Sequence, residues 1–204
     1  LTLFRSLPNG EIAMAGVGIS FPIILIIAAF SALIGMGGAP IAAIKMGEKK
    51  NEEAEKILSN SFSMLIIIGL TLTVVFLIFK EPILYAFGAS DQTIGYAQDY
   101  ITIYLIGTVF VQIALGMNAF LNTQGFTKIS MCTVMIGAAI NIVLDPIFIF
   151  TFNMGVKGAA LATLIAQMVS AIFVLRFLFG EKTILKIRKE FLMPKIKIIL
   201  PIVV

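Results

Sequence analysis

The chain has 204 residues, of which 59% are hydrophobic and only 13% are charged, and its formal net charge is +4. Soluble domains contain about 45–50% apolar and about 25% charged residues, so this composition excludes an ordinary soluble domain and indicates a membrane protein. The sequence has no His and a single Cys, Cys132. Within this sequence, that excludes a disulfide framework, His-based metal sites, haem ligation by His and His general bases.

The first element is a long apolar stretch, rich in small residues, at positions 11–45. It is too long for one upright span of about 20 residues, so we expect a tilted helix that bends or begins near Pro22. Positions 35–43 within it carry almost no large side chain. This favours close packing of neighbouring helices, with a flexible joint as the alternative.

A charged turn at positions 45–56 separates this stretch from the second span. Asn51 is a candidate N-cap within the turn, because Asn side chains accept hydrogen bonds from the first backbone N–H groups of a helix. The second span is predicted at 59–79. It should end before Pro82, which cannot continue the backbone hydrogen bonding of a helix.

A third helix follows an outer connection at 80–91. Ser90 or Asp91 is expected to cap it, and it should continue to about Thr123. Tyrosines at intervals of four along this helix are typical of anchoring at the membrane interface, and the alternative is that one of them lines a polar site. They are Tyr96, Tyr100 and Tyr104.

The last two spans are predicted to form a helical hairpin. After the turn at 123–128, its helices are expected at 128–152 and 156–179, which completes five spans. Each helix carries two polar side chains four residues apart, so each pair lies on one face. The four residues are Asn141, Asp145, Thr163 and Gln167.

Their distances from the turn indicate a polar site inside the membrane. If the hairpin turns about Met154, Asp145 and Thr163 lie at one depth. Asn141 and Gln167 then lie at a second depth, one helical turn further from the connection. A carboxylate inside a membrane is costly and marks a candidate functional site.

Pro146 strengthens this interpretation. Because it has no N–H and its ring opposes the Ile142 carbonyl, we expect a kink beside Asp145 that leaves this carbonyl oxygen unpaired. Such an oxygen could help to hold a small cation.

The amino-acid composition of the chain changes after Gly180. Basic and apolar residues mix at positions 181–191, which predicts an amphipathic helix lying in the membrane surface. Pro194 should end it, and the apolar run at 196–204 begins another span. Because the sequence starts with Leu1 and stops within that run, we expect further parts of the protein on both sides.

Positive charge is distributed unevenly between the two sides of the predicted bundle. With five spans, all of the 15 Lys and Arg residues except Arg5, Lys80 and Lys157 fall on the side of the turns at 45–56 and 123–128. The positive-inside rule places that side in the cytoplasm. The net charge therefore reflects membrane topology, and we expect no nucleic-acid partner.

Two stretches of the hairpin resemble the multidrug and toxic compound extrusion (MATE) family: Asn141-Ile-Val-Leu-Asp-Pro-Ile-Phe-Ile-Phe and Met154-Gly-Val-Lys-Gly-Ala-Ala-Leu-Ala-Thr. Three shorter motifs resemble the same family in order and spacing, namely Gly35-Met-Gly-Gly-Ala-Pro, Gly47-Glu-Lys-Lys and Tyr100-Ile-Thr-Ile. The resemblance covers nearly the whole sequence. It implies an all-α, polytopic membrane helix bundle that forms one of two six-helix lobes.

The resemblance also implies a division of the chain and a site. Positions 1–180 would be first-lobe helices without the family's first helix, 181–195 a cytoplasmic amphipathic linker, and 196–204 the start of the second lobe. An acidic residue that the family places on its first helix lies outside this sequence. The implied cation-binding and coupling residues are Asp145, Asn141 and Thr163, with Tyr100 nearby. The spacing and backbone arguments above add Gln167 and Pro146 as supporting residues.

The implied function is export of drugs or other organic compounds, often cationic, across the cytoplasmic membrane by alternating access, driven by inward flow of H⁺ or Na⁺. We expect a small organic substrate and membrane lipid as partners, a monomeric state, and no cofactor or metal beyond the coupling ion. Desolvation favours the neutral form of Asp145, whereas a bound cation favours the charged form. Proton and sodium occupancy should therefore exclude each other.

Three alternatives to transport by a MATE protein fit the sequence less well. A flippase of lipid-linked sugars from the same superfamily would share the bundle, but it would line its cavity with cationic residues, which the predicted spans almost lack. An intramembrane aspartyl protease would need two deep carboxylates, whereas Asp99 lies near the outer surface. A purely structural subunit gives no reason to keep Asp145 beside Pro146.

Overall fold

Long apolar helices dominate the computed structural model, which describes residues 9–203 and, for Ile196, Lys197 and Val203, the backbone alone. The all-α prediction is confirmed. In chain order the helices are α1 Gly10–Ile19, α2 Phe21–Gly47, α3 Asn51–Ala86, α4 Ile94–Ile106, α5 Thr108–Thr123, α6 Thr127–Pro146, α7 Gly155–Leu178 and α8 Ile196–Val203.

The helices provide four to five membrane spans. Four segments are long and apolar enough to cross a bilayer, and α4 with α5 gives a fifth if this bent pair crosses once. The four are Gly10–Gly47, Asn51–Ala86, Thr127–Thr151 and Gly155–Leu178. The chain is therefore a multi-pass membrane protein, as its composition predicted.

The first span breaks where the sequence predicted a bend. α1 ends at Ile19 and α2 begins at Phe21, with Pro22 in its first turn. The buried Ser20 hydroxyl lies between them and donates to the carbonyl oxygens of Gly16 and Ala97, both at 3.4 Å. This hydroxyl therefore links the break between α1 and α2 to α4 by a hydrogen bond.

Small residues in α2 allow other helices to approach closely. A Cβ atom added at Gly35 would lie 2.9 Å from the Gly116 carbonyl oxygen of α5. One added at Gly38 would lie 2.7 Å from Ser61 Oγ and 2.8 Å from the Phe120 ring. α2 is continuous through this stretch, so the small residues serve packing and do not form a joint.

Two predictions about α3 are wrong. The helix does not end before Pro82 but continues through it to Ala86. The last turns are held by tertiary packing, since Leu84 is fully buried, and this outweighs the backbone hydrogen bond that proline removes. Asn51 is the first helical residue and not the N-cap, which is Lys50.

The third predicted helix is two helices. α4 and α5 meet at Gly107 with a bend of 59° between them. A Cβ at Gly107 would lie 2.7 Å from Leu164 Cδ1, so α7 passes the break at close range. The predicted cap is also wrong: Thr93 precedes α4, and its hydroxyl accepts from the Ser90 N–H at 2.9 Å.

The amphipathic helix predicted at 181–191 is not formed. The segment is irregular except for a short 3₁₀ turn, Lys189–Phe191. Its apolar side chains Leu185 and Ile187 are buried in the bundle. We call residues 181–195 the strap, because side chains of α3 hold its backbone against the bundle.

Polar residues on one face of α3 supply most of these hydrogen bonds. Asn60 does so twice, since its Nδ2 donates to the Phe191 carbonyl at 3.2 Å and its Oδ1 accepts from the Lys195 N–H at 2.7 Å. The other contacts are Glu55 with Lys186 N–H, Ser59 with Arg188 N–H and Ser63 with the Leu192 carbonyl. A backbone satisfied in this way has no need of helical hydrogen bonds.

An ion pair completes the attachment of the strap. Arg188 Nε donates to Glu55 Oε2, and the Glu55 side chain is only 6% exposed. The carboxylate raises the pKa of the Arg188 guanidinium above its usual value. Near the start of the strap, Gln124 Oε1 accepts from the Leu185 N–H and the Thr183 hydroxyl, both at 2.7 Å.

Replacing Asn60 with Ala should loosen the strap. The substitution removes the hydrogen bonds to the Phe191 carbonyl and the Lys195 N–H, which are partly buried, and a hydrogen bond of this kind contributes about 0.5–1.5 kcal/mol. In detergent-purified protein we expect faster trypsin cleavage after the strap's Lys and Arg residues. Asn51→Ala, an exposed Asn→Ala change on the same helix, is the matched control, and equal cleavage of the two variants would contradict this account.

Candidate cation site

The site lies in the hairpin formed by α6 and α7. A π-helical turn, Ile147–Thr151, continues α6, and the chain reverses at residues 152–154, around the predicted position. Asn153 and Gly155 adopt positive φ values of 51° and 54°, which Asn and Gly tolerate best. The Met154 N–H donates to the Phe148 carbonyl at 3.1 Å and closes the connection.

Gly158 brings the two arms of the hairpin together. A Cβ there would lie 2.7 Å from the carbonyl carbon of Phe148 and 3.0 Å from the Ile149 nitrogen. These are backbone atoms, so they cannot move aside as a flexible side chain could. The hairpin depends on the absence of a side chain at this position.

The structure brings three of the four predicted polar residues into direct contact. Asn141 Nδ2 lies 3.4 Å from Asp145 Oδ1 and 3.3 Å from Thr163 Oγ1, and it donates to both oxygens. The Thr163 hydroxyl in turn donates to the Ala159 carbonyl of its own helix at 3.0 Å. A carboxylate, an amide and a hydroxyl thus share one partly buried point between the helices.

The pairing across the hairpin differs from the prediction. Asn141 was expected level with Gln167, but it bonds to Thr163, one turn closer to the connection. The π turn supplies the reason, because its bonds span five residues, as in Phe152 N–H to the Ile147 carbonyl at 3.0 Å, and such a turn changes the register of the helix. Gln167 lines the same cavity as Asn141 and Thr163.

Pro146 ends the regular part of α6. It offers no N–H to the Ile142 carbonyl, and the helix changes pitch to the π turn directly after it. Irregular backbone of this kind within a span occurs where it is buried in protein or lines a polar cavity. Pro146 therefore makes the backbone beside Asp145 different from that of an ordinary membrane helix.

Two of the three tyrosines of α4 are inside the bundle, so interfacial anchoring is wrong for them. Tyr100 and Tyr104 are 9% and 6% exposed, and their rings stack with centroids 6.2 Å apart. The Tyr100 hydroxyl lies beside that of Thr163. Tyr100 therefore adjoins the cluster through Thr163.

An ion pair links the outer end of the hairpin to α4. Lys157 Nζ lies 3.4 Å from Asp99 Oδ1, and both side chains are about half exposed. Asp99 is thus neutralised at the surface and stands apart from Asp145. In the described part of the chain, no group of three or more His, Cys, Asp and Glu residues could hold a metal ion.

The residues that the sequence interpretation missed lie beside the site. A groove of about 280 Å³ extends from Asn141 and Thr163 between α5, α6 and α7. Its other polar lining residues are Asn118, Thr133, Gln167 and Ser170. Thr133 could have been identified from its spacing along α6, because Thr133, Asn141 and Asp145 lie on one helical face.

Comparison with known proteins places this arrangement in a family. The MatE family model matches residues 1–147, well over half of the chain. The chain belongs to the MATE family. It is 31% identical over 160 residues to the multidrug export protein MepA of Staphylococcus haemolyticus strain JCSC1435, an alignment that covers 78% of this chain and 35% of MepA.

Solved MATE structures have the same fold. A crystal structure of MATE in the bent conformation matches with a TM-score of 0.89 at 30% identity, over 94% of this chain and 43% of that chain. An inward-facing multidrug resistance MATE transporter of the MOP superfamily matches with a TM-score of 0.88, also at 30% identity, over 94% and 44%. The chain therefore spans less than half the length of these MATE relatives.

Gly158→Leu should prevent this MATE hairpin from closing. The new side chain would meet the backbone of Phe148 and Ile149, so we expect much less folded protein in the membrane, measured by size-exclusion chromatography of a fluorescent fusion in detergent. Leu161→Phe enlarges a partly buried side chain on the same helix and should be mild. Similar yields from the two variants would show that close approach at Gly158 is not required.

Proposed function

We propose that this chain forms the first lobe of a cation-coupled antiporter that exports organic compounds by alternating access, with Asp145 as the coupling group. The observation that carries the proposal is the cluster of Asp145, Asn141 and Thr163, held at 3.3–3.4 Å between two membrane-spanning helices. A carboxylate in such a position normally serves transport of ions, protons or substrate.

The chemistry of the cluster suits one monovalent cation at a time. When Asp145 is protonated, it is neutral and suits an apolar setting. When it is ionised, its charge requires a cation, since an uncompensated buried charge is expensive. Carboxylate, hydroxyl and amide oxygens are the hard ligands that such an ion prefers, so a proton and a sodium ion compete for the same site.

Asn141 can distinguish the two states of Asp145. As placed, its Nδ2 donates to both Asp145 and Thr163, so the amide hydrogens occupy the space between the two oxygens. A bound sodium ion would repel these hydrogens. Rotation of the amide would then present Oδ1 as a ligand, and ion binding would rearrange the contact between α6 and α7.

Pro146 and the π turn supply a means of transmitting that change. The site sits directly before the segment in which α6 departs from regular geometry. Backbone with missing or non-standard hydrogen bonds can change pitch at lower cost than a regular helix. A change in cation occupancy would thus alter the outer half of α6 and the cavity it borders.

The division of the chain remains part of the proposal. Residues 9–180 would move as a first lobe, the strap would be the cytoplasmic linker, and α8 would start the second lobe. The MepA relative is described as a multidrug export protein, which supports small organic substrates for this chain. Membrane lipid is the other partner, and we propose a monomer without a further cofactor.

The competing functions fit the structure less well. An aspartyl protease needs two facing carboxylates, but Asp99 is paired with Lys157 near the surface while Asp145 lies inside the hairpin. A flippase of lipid-linked sugars would need cationic residues in its cavity. The groove beside Asp145 is lined by amides, hydroxyls and small apolar residues.

Asp145→Asn should abolish coupling while leaving the protein folded. Asn matches Asp in shape but cannot ionise, so the variant imitates the protonated state permanently. We expect efflux driven by a proton or sodium gradient to fall to the level measured without a gradient, in vesicles that contain the two-lobe transporter in normal amounts. Wild-type efflux per folded molecule would refute the coupling role.

Two milder substitutions provide the control. Asn141→Ala and Thr163→Ala each remove one neutral ligand and keep the charge. A neutral hydrogen bond contributes about 0.5–1.5 kcal/mol, so the concentration of cation needed for half-maximal efflux should rise roughly 2- to 12-fold. Complete loss of efflux in these variants, with Asp145→Asn active, would show that the neutral residues carry the function instead.

A further inference from the structure

The basic side chains at the end of the bundle predicted to face the cytoplasm fall into two groups. Those of the turn between α2 and α3 are compensated by neighbouring carboxylates at 2.7–3.1 Å. The pairs are Lys45 with Glu48 and Glu53, Lys50 with Glu48, and Lys56 with Glu52. This turn therefore carries little free positive charge.

The second group lies on the strap and at the helix ends beside it. These side chains form no ion pair with any side chain that the structure describes, and all are exposed or partly exposed. They are Lys128, Arg176, Lys182, Lys186 and Lys189. The exposed carboxylates of Glu181 and Glu190 reduce this charge but do not cancel it.

Contacts between the helix ends gather these side chains around the start of the strap. The Phe126 and Phe177 rings pack edge to face with centroids 4.9 Å apart, which brings the start of α6 to the end of α7. The Ile187 N–H donates to the Leu178 carbonyl at 3.4 Å, so the strap folds back onto the same end of α7. The uncompensated charge is thus concentrated in one region.

The first part of the strap turns one face to the bundle and the other outward. Its side chains alternate, as in an extended chain. The inward side chains, which are buried, are Thr183, Leu185 and Ile187. Between them, Lys182 and Ile184 are exposed and Lys186 is partly exposed. The outward face therefore places an apolar side chain between two lysines.

This outward face lies at the level of the lipid headgroups. α7 has 24 residues and rises about 36 Å at 1.5 Å per residue. The hydrocarbon core is about 30 Å thick, and the headgroup regions extend the bilayer to about 40–45 Å. A helix of this length that spans the core ends among the headgroups, and the strap begins there. Phe179 and Ile184, at 48% and 50% exposure, add apolar surface at that level.

We propose that the outward face of residues 182–186 binds anionic phospholipid of the inner leaflet, with the lipid phosphates at Lys182 and Lys186 and Ile184 among the first acyl carbons. Anionic headgroups attract clusters of Lys and Arg that directly follow a membrane span. Lys side chains suit this position, because their stems pack on apolar groups while the ammonium reaches the phosphate.

The inference gives the lipid partner of the proposed function a charge and a binding site. It rests on the orientation of the bundle in that proposal and is independent of the role of Asp145. A soluble anionic partner would instead require the face to project into water, beyond the headgroups.

Tryptophan fluorescence tests the contact, because the sequence contains no Trp. Ile184→Trp is made in the two-lobe transporter, with any Trp of the other lobe replaced by Phe, and the protein is reconstituted in mixtures of phosphatidylglycerol and phosphatidylcholine. One of the two lipids carries bromine, a contact quencher of Trp, near the carboxyl end of its acyl chains. At equal amounts of brominated lipid, we expect brominated phosphatidylglycerol to quench at least about twofold more strongly.

Leu70→Trp is the matched control in the same protein. Leu70 is 54% exposed and lies in the middle of α3, where positions 57–79 contain no charged residue. Anionic lipid has no reason to collect there. The two brominated lipids should therefore quench this position equally.

Two double substitutions test whether the strap lysines select the lipid. In the Ile184→Trp protein, Lys182→Gln with Lys186→Gln should abolish the preference for phosphatidylglycerol. Lys45→Gln with Lys50→Gln removes the same charge from the paired turn between α2 and α3, and it should leave the preference unchanged. An equal loss in both would mean that only the overall charge of the bundle attracts lipid, and the proposed binding face would be wrong.

The remaining outcomes also decide the question. Equal quenching of position 184 by the two lipids would show no preference for anionic lipid. Quenching at 70 but not at 184 would place the strap in water, open to a soluble partner, and would overturn the proposal. Neither result bears on Asp145. Conversely, normal efflux by Asp145→Asn together with selective quenching at 184 would remove the coupling role and leave the lipid site.

Discussion

An ionisable carboxylate inside an apolar hairpin is the constraint on which this structure depends. Asp145 can be tolerated there only when a proton, a cation or hydrogen-bond donors compensate it. The surrounding residues can compensate Asp145 in more than one arrangement of hydrogen bonds. Asn141 supplies a donor that can become an acceptor by rotation, and the Thr163 hydroxyl oxygen, which accepts from Asn141, keeps a second lone pair. The cluster is thus satisfied in more than one state of charge.

The scaffold holds this cluster through close backbone approaches. Gly158 lets α7 reach the backbone of Phe148, and Gly107 lets α4 and α5 bend where Leu164 passes. Both contacts lie within two turns of Thr163. They pack α7 against the bend between α4 and α5 on one side and against the π turn that follows Pro146 on the other. These two contacts therefore set the position of Thr163 within the bundle.

The sequence predicted the features that depend on local pattern. Span lengths follow from apolar runs, and the hairpin with its polar pairs follows from spacing about Met154. The features that it did not predict depend on distant partners. The bend at Gly107 requires Leu164, and the extended form of the strap requires Asn60, Glu55 and Ser59, more than 120 residues earlier. An isolated segment of mixed basic and apolar residues favours a helix until those partners bind its backbone.

The sequence predicted which residues form the site, but not which of them face each other across the hairpin. Asp145, Asn141 and Thr163 meet because their helical faces meet, which spacing reveals. The hydrogen bond between Asn141 and Thr163 depends on the π turn after Pro146. A π turn leaves no periodic pattern in the sequence, so it could not be predicted from spacing. The burial of Tyr100 likewise follows from the packing of α4 on α7, although its spacing also suited an interfacial stripe.

If the proposed function is right, Asp145 changes its protonation inside the bundle as the coupling cation binds. Infrared difference spectroscopy of the purified protein tests this directly, between acidic and alkaline conditions and with or without sodium. We expect a protonated-carboxyl band that disappears as the solution becomes alkaline or as sodium is added, and that is missing from the spectra of Asp145→Asn. Identical difference spectra for the wild type and Asp145→Asn would contradict a change of protonation at Asp145.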